Sequence, residues 1–491
     1  MTLLPEARTV LDAALLAYAG RPEEADLRGL RDRLDEPLRV AIAGRVKAGK
    51  STLLNALVGE RLAPTDAGEC TRVVTWFQDG HTYRVEVQPV GGAPRQARFE
   101  RDDGALEIDL GGLPPEKIER IVVTWPSHEL RTATLIDTPG IGSLSEHVSK
   151  RTWELLAVDD DETPADAVLY LMKHLHVDDL EFLRAFHDTE VSRPNPVNAI
   201  GVLSRADEIG VGRLDSMASA RRICTRLGRD PRVRRVVQTV VPLAGLLAET
   251  AETLTQAEFA QLSLIAALAP REVEDLLLSA DRFLVERPEL RLTAIEREAL
   301  LGRFGIFGIR LAATLVRQKV TPTAPALSRE LRARSGLQGL HDVLQTLFYE
   351  RRDVLKSRSA LLAVDTLLRR RPPAGAEGTR LAGEVERILA SAHPFHELRV
   401  LSSLRAGWIT GKPDVLADLE RLIGGEGTAT TVRLGLTPDA DPEVVRHAAL
   451  QTLGRWQRRA ESPMTGHQLA VASRVAVRTC EGILAELAAP A

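Results

Sequence analysis

The segment that most constrains the fold of this chain is Gly44-Arg-Val-Lys-Ala-Gly-Lys-Ser51, which fits the pattern G-x-x-x-x-G-K-[ST] at every position. It follows an apolar run at residues 38–43, which is typical of a buried strand, and residues 52–57 are predicted to begin a helix. A glycine-rich loop in this setting directs main-chain N–H groups and the positive end of the helix dipole at an anion. The sequence therefore predicts a phosphate-binding loop in an α/β domain.

Two side chains of this loop have predicted roles. Lys50 is expected to contact the β- and γ-phosphates of a nucleotide, and the Ser51 hydroxyl is expected to bind Mg²⁺. The alternative is a chance glycine-rich turn, but the strand before the loop and the helix after it favour the phosphate loop. The predicted nucleotide-binding residues here are Gly44, Arg45, Val46, Lys47, Ala48, Gly49, Lys50, Ser51 and Thr52.

Two later motifs extend the prediction to a guanine nucleotide with Mg²⁺. In Asp137-Thr-Pro-Gly140, Asp137 is expected to hold the Mg²⁺ shell and the Gly140 N–H to contact the γ-phosphate. In Ser204-Arg-Ala-Asp207, the Asp207 carboxylate can accept hydrogen bonds from the N1–H and the exocyclic amine of guanine, a pair that adenine does not offer. Arg205 stands where lysine is more usual, and its planar head can still cover the base. Ser204, Arg205 and Asp207 are thus the predicted base-side residues.

A threonine between these motifs is a candidate switch residue. In Glu69-Cys-Thr-Arg-Val-Val-Thr75, Thr71 is predicted to give its hydroxyl to Mg²⁺ and its N–H to the γ-phosphate. Thr75 is the alternative position. Because threonine is also common in strands, a purely structural role stays open for both.

The 491 residues favour two or three domains. Strands are predicted at residues 38–43, 83–90, 121–125, 132–136, 167–172, 199–203 and, more weakly, 240–243. Helical stretches separate several of them, which predicts an α/β sheet, mostly parallel, with helices on both faces. Beyond about residue 251 the pattern becomes helical. One long helix is predicted from residue 337 to Pro372-Pro373, and others at 381–404, 444–459 and 469–487.

This pattern predicts three parts. Residues 1–36 form N-terminal helices, residues 37–336 form the nucleotide-binding domain with the place of 251–336 left open, and residues 337–491 form a helical bundle. The small negative net charge of −4 argues against DNA as a partner. Three distant cysteines without a C-x-x-C pair predict neither a disulfide framework nor a zinc site. Without a run of about 18 apolar residues, any membrane contact is expected to be peripheral.

Taken together, these motifs resemble the bacterial dynamin-like proteins. The stretch Gly44-Arg-Val-Lys-Ala-Gly-Lys-Ser-Thr-Leu-Leu-Asn-Ala-Leu-Val-Gly59 looks like that family's opening motif. Segments at residues 63–67, 71–77, 204–210, 303–310 and 423–425 resemble the isoniazid-inducible dynamin-like GTPases of mycobacteria, so the resemblance covers most of the chain.

The resemblance implies a GTPase head on a helical stalk built from both ends of the chain. It implies GTP and GDP with Mg²⁺ as ligands and hydrolysis coupled to membrane remodelling. It also implies a cytoplasmic protein bound peripherally to phospholipid at the inner face of the cytoplasmic membrane. Nucleotide-dependent self-association, or pairing with a related dynamin-like protein, is the implied assembly.

The middle of the phosphate loop departs from the eukaryotic dynamin pattern. Those proteins carry a Gln-Ser pair, whose serine helps to hold a monovalent cation, where this chain has Val46 and Lys47. We hypothesise that the Lys47 ammonium takes the place of that cation and acts in catalysis; a solvated surface lysine is the alternative. No glutamine follows Asp137-Thr-Pro-Gly140 to orient water, so slow turnover accelerated by head pairing is expected.

Several alternatives stay open. The chain could be a soluble regulatory or assembly GTPase whose helices bind protein or RNA, or a scaffold that scarcely hydrolyses GTP. His174-Leu-His-Val-Asp-Asp179 has metal-ligand spacing, although a helix cap explains its carboxylates more simply. A membrane-contacting tip could include Arg369-Arg-Arg371 or Trp408-Ile409, for which a helix C-terminus and burial are the alternatives.

Overall fold

The computed structural model describes residues 3–63, 73–102, 105–139, 165–173, 198–210, 213–287, 290–373 and 376–488. Within these ranges nine strands form one sheet, and β5 and β6 form a separate hairpin. The strands are β1 Leu38–Gly44, β2 Thr75–Gln78, β3 Arg84–Pro89, β4 Arg95–Gln96, β5 Arg98–Asp102, β6 Ala105–Asp109, β7 Ile118–Thr124, β8 Ala133–Asp137, β9 Ala167–Met172, β10 Ala199–Leu203 and β11 Val240–Pro242.

The sheet has the order β11-β10-β9-β1-β8-β2-β7-β3-β4. Strand β1 lies between β8 and β9 and runs parallel to both, and β10 and β11 continue the parallel part. Strand β2 is antiparallel to β8, and β3 is antiparallel to β7. Because β1, β8, β9 and β10 are parallel, their carboxyl ends lie at one edge of the sheet, where ligands of such sheets bind.

Helices cover both faces of the sheet, as expected for parallel strands that are buried on both sides. Along β1, Val40 and Ile42 belong to one apolar core, and Ala41 and Ala43 belong to the other. The helices that contribute to these two cores are Lys50–Val58, His128–Thr132, Ser216–Leu227, Pro231–Arg234, Gly245–Glu252, Gln256–Ala267, Pro270–Leu276, Ala280–Leu284, Ala294–Arg317, Ala324–Ser335 and Leu337–Leu347, with one buried leucine each from Arg352–Arg370 and His393–Arg405.

The remaining helices pack around two further apolar clusters. Leu3–Ala17 and Glu24–Arg33 share one cluster with Arg352–Arg370 and Ala376–Ser391. The Tyr18 hydroxyl also donates a 2.8 Å hydrogen bond to the carbonyl O of Arg371. The N-terminal helices therefore pack on the helices of residues 352–391. The last cluster, around the buried Trp456, is formed by His393–Arg405, Pro413–Leu422, Pro442–Glu461 and His467–Ala488, with the short helix Thr430–Arg433 beside Pro413–Leu422.

The predicted fold class is confirmed: an α/β nucleotide-binding domain with a mostly parallel sheet is joined to an all-helical region. Two predicted helices are interrupted. The helix predicted to start at Leu337 ends at Leu347 and resumes at Arg352, because Arg351 turns inward and bonds the carbonyl oxygens of Ile423 and Gly424. The helix predicted at 381–404 is interrupted at Ala392. A new helix begins at His393 and has Pro394 in its first turn, where proline is favoured.

The segments considered for membrane contact have other partners in the structure. Ile409 is buried in the cluster around Trp456, Arg369 pairs with Asp365, and Arg371 pairs with Glu23. By length and apolar composition alone, one helix among the described residues, Ala294–Arg317, is long enough to cross a membrane. Half of its most apolar stretch is buried within the protein.

Packing of the first helix on the C-terminal helices predicts a contrast between two leucines. Leu11 is fully buried in the cluster with Arg352–Arg370, whereas Leu16 of the same helix is 77% exposed. We expect Leu11→Ala to lower the free energy of unfolding by about 2–5 kcal/mol through a cavity, and Leu16→Ala to change it by less than about 0.5 kcal/mol. Urea unfolding of the full chain measures both, and equal shifts would contradict the packing.

Candidate nucleotide-binding site

The phosphate loop leaves β1 through a glycine that no other residue can replace without moving the sheet. Gly44 has φ 148°, and a Cβ atom there would lie 2.5 Å from the carbonyl O of Leu171 on β9. Gly49, with φ 92°, directly precedes the helix Lys50–Val58. The loop thus enters the helix through two backbone conformations that favour glycine, and the helix N-terminus faces the carboxyl edge of the sheet.

Lys50, Ser51 and Asp137 meet at this edge. The Ser51 hydroxyl donates a 2.8 Å hydrogen bond to Oδ2 of Asp137, at the end of β8. Nζ of Lys50 donates to the carbonyl O of Arg45 over 3.4 Å. Burial raises the pKa of Asp137, while Lys50 and the Ser51 hydroxyl act in the opposite direction. Burial likewise lowers the pKa of Lys50, and the Asp137 charge opposes that shift.

The second carboxylate oxygen of Asp137 shows what this cluster can hold. Oδ1 is buried and has no hydrogen-bond partner among the residues that the structure describes. Burying a carboxylate oxygen without a partner costs free energy, and a cation or an ordered water shell that binds there offsets this cost. Oxygen donors are the ligands that Mg²⁺ prefers. The Ser51 hydroxyl and the Asp137 carboxylate therefore fit a Mg²⁺ site.

The turn after β8 is tied to the strand that leads into the phosphate loop. The Thr138 hydroxyl donates to the carbonyl O of Ile42 over 2.9 Å, and the Thr138 N–H contacts the same oxygen at 3.3 Å. Because Ile42 lies opposite Asp137 in the β1–β8 register, these bonds fix the carboxylate relative to the loop.

The base-side motif lies at the end of β10, beside the same loop. Arg205 adopts a left-handed backbone (φ 52°), and residues Ala206–Glu208 form one turn of 3₁₀-helix. Nη2 of Arg205 donates a 3.0 Å hydrogen bond to the carbonyl O of Lys47. Burial raises the pKa of Asp207, and the charges of Arg205 and Lys173 act against that rise. Ser204 is buried, and its hydroxyl has no partner within the described part of the chain.

The structure brings most of the predicted site residues to one edge of the sheet. These are Gly44, Arg45, Val46, Lys47, Ala48, Gly49, Lys50, Ser51, Thr52, Asp137, Ser204, Arg205 and Asp207. Thr71, Gly140 and residues 174–179 lie outside the described residues. The alternative switch residue Thr75 begins β2, and its hydroxyl donates to the carbonyl O of Val73 at 3.4 Å. Val46 and Lys47 are exposed, and Ala48 is buried.

A buried asparagine that the sequence reasoning did not single out holds the chain next to the site. The Asn55 amide N donates to the carbonyl O of Ala63 and to Oε1 of Glu249, over 3.0 and 3.1 Å. Its Oδ1 accepts from the N–H groups of Leu62 and Ala63 at 2.9 and 2.7 Å. The sequence signal was one polar residue within the apolar run at 53–58. No feature of the neighbouring sequence indicated that Glu249 would contact Asn55.

This arrangement is that of a P-loop nucleotide-binding site, and comparison with known proteins gives the family. The sequence profile of the dynamin family matches residues 40–205. Isoniazid-induced protein IniC of Mycobacterium tuberculosis strain H37Rv is 40% identical over 496 aligned residues, with 100% of each chain covered. The chain therefore belongs to the bacterial dynamin-like proteins, in the group that resembles IniC.

More distant similarities cover shorter stretches. A bacterial dynamin-like protein of Nostoc punctiforme is 33% identical over 114 residues, which is 21% of this chain and 16% of that protein. A solved structure described as an oligomerised bacterial dynamin pair covers 98% of this chain and 75% of its own, with a TM-score of 0.30 and 13% identity. A likeness this low carries no inference about this chain.

The close approach at Gly44 gives a test of the loop. We expect Gly44→Ala to abolish measurable GDP binding, because its Cβ would collide with the main chain of β9. The control is Gly59→Ala, at a glycine with φ 78° that has open space around its Cβ position. That change costs about 1–2 kcal/mol of backbone strain but leaves the loop in place. Calorimetric titration with GDP checks this, and normal binding by Gly44→Ala would contradict the loop geometry.

Proposed function

We propose that this protein hydrolyses GTP with Mg²⁺ and couples hydrolysis to peripheral membrane binding and remodelling. The observation that carries the proposal is the convergence of Lys50, the Ser51–Asp137 pair and Asp207 at the carboxyl ends of the parallel strands of one sheet. These groups come from three strand ends and supply, in order, a phosphate cation, metal-binding oxygens and a base-selecting carboxylate.

The phosphate side of the site supports nucleotide hydrolysis. Lys50 supplies a desolvated positive charge at the start of a helix, where the helix dipole adds to it. Ser51, Thr71 and Asp137 are the proposed Mg²⁺ residues, with Thr71 and the Gly140 N–H contacting the γ-phosphate as the sequence motifs predict. Mg²⁺, when bound, neutralises charge that develops on the β- and γ-phosphate oxygens. The proposed catalytic residues are Lys47, Lys50 and Thr71.

The base side supports a choice of guanine over adenine. Burial disfavours the Asp207 carboxylate unless two good donors face it, and guanine supplies them through N1–H and its amine. Arg205 and Lys173 keep positive charge near this carboxylate. A partly buried carboxylate that needs two donors rejects a base that lacks them.

Replacing the Asp207 carboxylate with an amide should change the base that the site prefers from guanine to xanthine. Asn in place of Asp207 presents one acceptor and one donor, which match the N1–H and the 2-oxo group of xanthine. We expect Asp207→Asn to weaken GTP binding by about 10²-fold or more and to gain binding of xanthosine triphosphate. Asp215→Asn, at an exposed position of the same domain, is the matched control. Competition with fluorescent GDP gives both affinities; unchanged GTP binding would remove Asp207 from the site.

Lys47 is the one non-glycine residue of the phosphate loop that has a positive φ. It has φ 63°, a left-handed conformation that a non-glycine residue adopts at a cost of about 1–3 kcal/mol. Its carbonyl is bonded by Arg205 while its side chain is exposed. A lysine held in such a backbone at the phosphate loop is suited to act as a cation supplied in cis, and we propose that role for it.

Lys47→Ala tests the role against that of a solvated surface lysine. We expect kcat for GTP to fall by about 10²-fold, with the GDP dissociation constant changed by less than about threefold. Lys319→Ala is the matched control, because Lys319 is also exposed and also has positive φ (56°) but lies outside the site. Normal GTP binding and turnover by Lys47→Ala would show that Lys47 is not catalytic.

We propose residues 37–336 as the GTPase head, and residues 1–36 with 337–491 as the neck and stalk. The helix Leu337–Leu347, which packs in one of the cores of the sheet, would join the two parts. The shared cluster of the N-terminal helices with Arg352–Arg370 supports the stalk, and the packing of helices from 251–336 on the sheet supports their place in the head. Family membership supports peripheral binding at the inner face of the cytoplasmic membrane. It also supports self-association, or pairing with a related dynamin-like protein.

Liposome co-sedimentation tests the membrane part of the proposal. We expect GTP-dependent binding to anionic vesicles, and GTP turnover per molecule that rises with protein concentration or added vesicles. Lys50→Ala, which loses the phosphate cation, serves as the control without nucleotide response. Turnover without lipid binding in any nucleotide state would favour a soluble regulatory or assembly GTPase, and lipid binding without turnover would favour a scaffold.

A further inference from the structure

Four charged residues from three strand ends form a continuous chain of contacts beside the phosphate loop. Nζ of Lys173, directly after β9, lies 2.6 Å from Oε2 of Glu208. Oε1 of Glu208 accepts a 2.7 Å hydrogen bond from Nη1 of Arg205. Nη2 of Arg205 donates to the carbonyl O of Lys47 over 3.0 Å. We name this chain, Lys173–Glu208–Arg205–Lys47, the base-side bridge.

The base-side bridge uses a property of arginine that lysine does not have. Arg205 bonds two acceptors at once, one through each terminal nitrogen, so its planar head is fixed between the loop and Glu208. A lysine ammonium also has three donors, but all of them lie on one nitrogen, so it bonds both acceptors only where both lie within hydrogen-bond distance of that single atom. The presence of arginine where GTPases more usually carry lysine thus matches a second acceptor, Glu208, on this chain.

Glu208 is held from both sides. Partial burial acts to raise its pKa, but hydrogen bonds from Lys173 and Arg205 outweigh this and lower it. The side chains of Lys173, Arg205 and Glu208 are 48%, 40% and 43% exposed, so their ion pairs contribute little to the stability of the fold. Their consequence is geometric, because they fix where the Arg205 head lies and hence where the Lys47 carbonyl lies.

We propose that Glu208 is a positioning residue for nucleotide hydrolysis, which orients Arg205 and through it fixes the main chain of Lys47 and the direction of its side chain. This inference rests on the proposed function of the site and on the proposed role of Lys47. Since Asp207 lies between Arg205 and Glu208 in sequence, the element that selects the base is also the one that holds the loop cation. Base recognition and the placement of Lys47 are therefore joined in one short segment.

The experiment is a double-mutant cycle on the full-length protein with Mg²⁺ and GTP. The variants are Glu208→Gln, Lys47→Ala and the double variant, with kcat, KM and the GDP dissociation constant measured for each. We expect Glu208→Gln to lower kcat by about tenfold and to change GDP affinity by less than about threefold. In the Lys47→Ala background, Glu208→Gln should have no further effect on kcat, because it acts through Lys47.

Two further variants separate positioning from a general disturbance of the fold. Arg205→Lys, which restores the residue more usual in GTPases, should lower kcat as Glu208→Gln does. Glu298→Gln, at an exposed position of the helix Ala294–Arg317, should leave kcat unchanged. Thermal unfolding should be the same for Glu208→Gln as for the unchanged protein, because the bridge lies at the surface.

The outcomes distinguish the inference from the function on which it rests. If the unchanged protein does not hydrolyse GTP, the proposed function fails. If it does, and Lys47→Ala lowers kcat, the inference is overturned by a Glu208→Gln variant with normal kcat, or by effects of the two substitutions that add. If Lys47→Ala has normal kcat, the inference is overturned together with the catalytic role of Lys47.

Discussion

The site depends on the parallel pairing of β1 with its two neighbours. Because β1 lies between β8 and β9, the phosphate loop, Asp137 and Lys173 all follow strands that end at one edge. The register sets Gly44 against Leu171 so closely that a side chain at Gly44 has no space. Pairing of β1 with β8 brings Asp137 next to the start of the helix after the loop, where the Ser51 hydroxyl bonds it over 2.8 Å.

The arrangement that results is unfavourable without its ligand. Burial disfavours the charged forms of both Lys50 and Asp137, and one oxygen of Asp137 is left without a partner in the described structure. Charged groups with pKa values shifted by burial and by one another are typical of sites that bind a charged ligand. Burial of β1, β9 and β10 on both faces stabilises the sheet that holds these groups in place.

The sequence predicted what is encoded locally. The bounds predicted for β9 and β10 are those of the structure, because each is a short apolar run between polar residues. The P-loop and base-side motifs were found because their residues are neighbours in the chain. Strand β2 was missed because it has only four residues and begins at Thr75, the last residue of the candidate switch segment. The break after Leu347 was missed because its cause, the contact of Arg351 with residues 423–424, is distant in sequence.

The base-side bridge could not be predicted from the sequence for the same reason, because its residues are distant in the chain. Lys173 and Glu208 are 35 positions apart, on the ends of neighbouring strands, and only the β9–β10 pairing brings them together. From the sequence, Glu208 is one more acidic residue after Asp207. In the structure it accepts a hydrogen bond from one terminal nitrogen of Arg205, while the other terminal nitrogen bonds the carbonyl O of Lys47.

The helix Ala294–Arg317 shows how packing decides between two uses of one composition. Its main chain leaves helical geometry at Gly305 (φ 59°, ψ 172°), and Leu300, Phe304 and Phe307 are buried in the core on one face of the sheet. Arg303 is paired with Glu258 at 2.7 Å and also bonds Thr253. Moving this helix into lipid would expose that core and place a paired arginine in hydrocarbon, which is costly. The membrane contact proposed for this protein would therefore have to use surfaces other than the buried face of this helix.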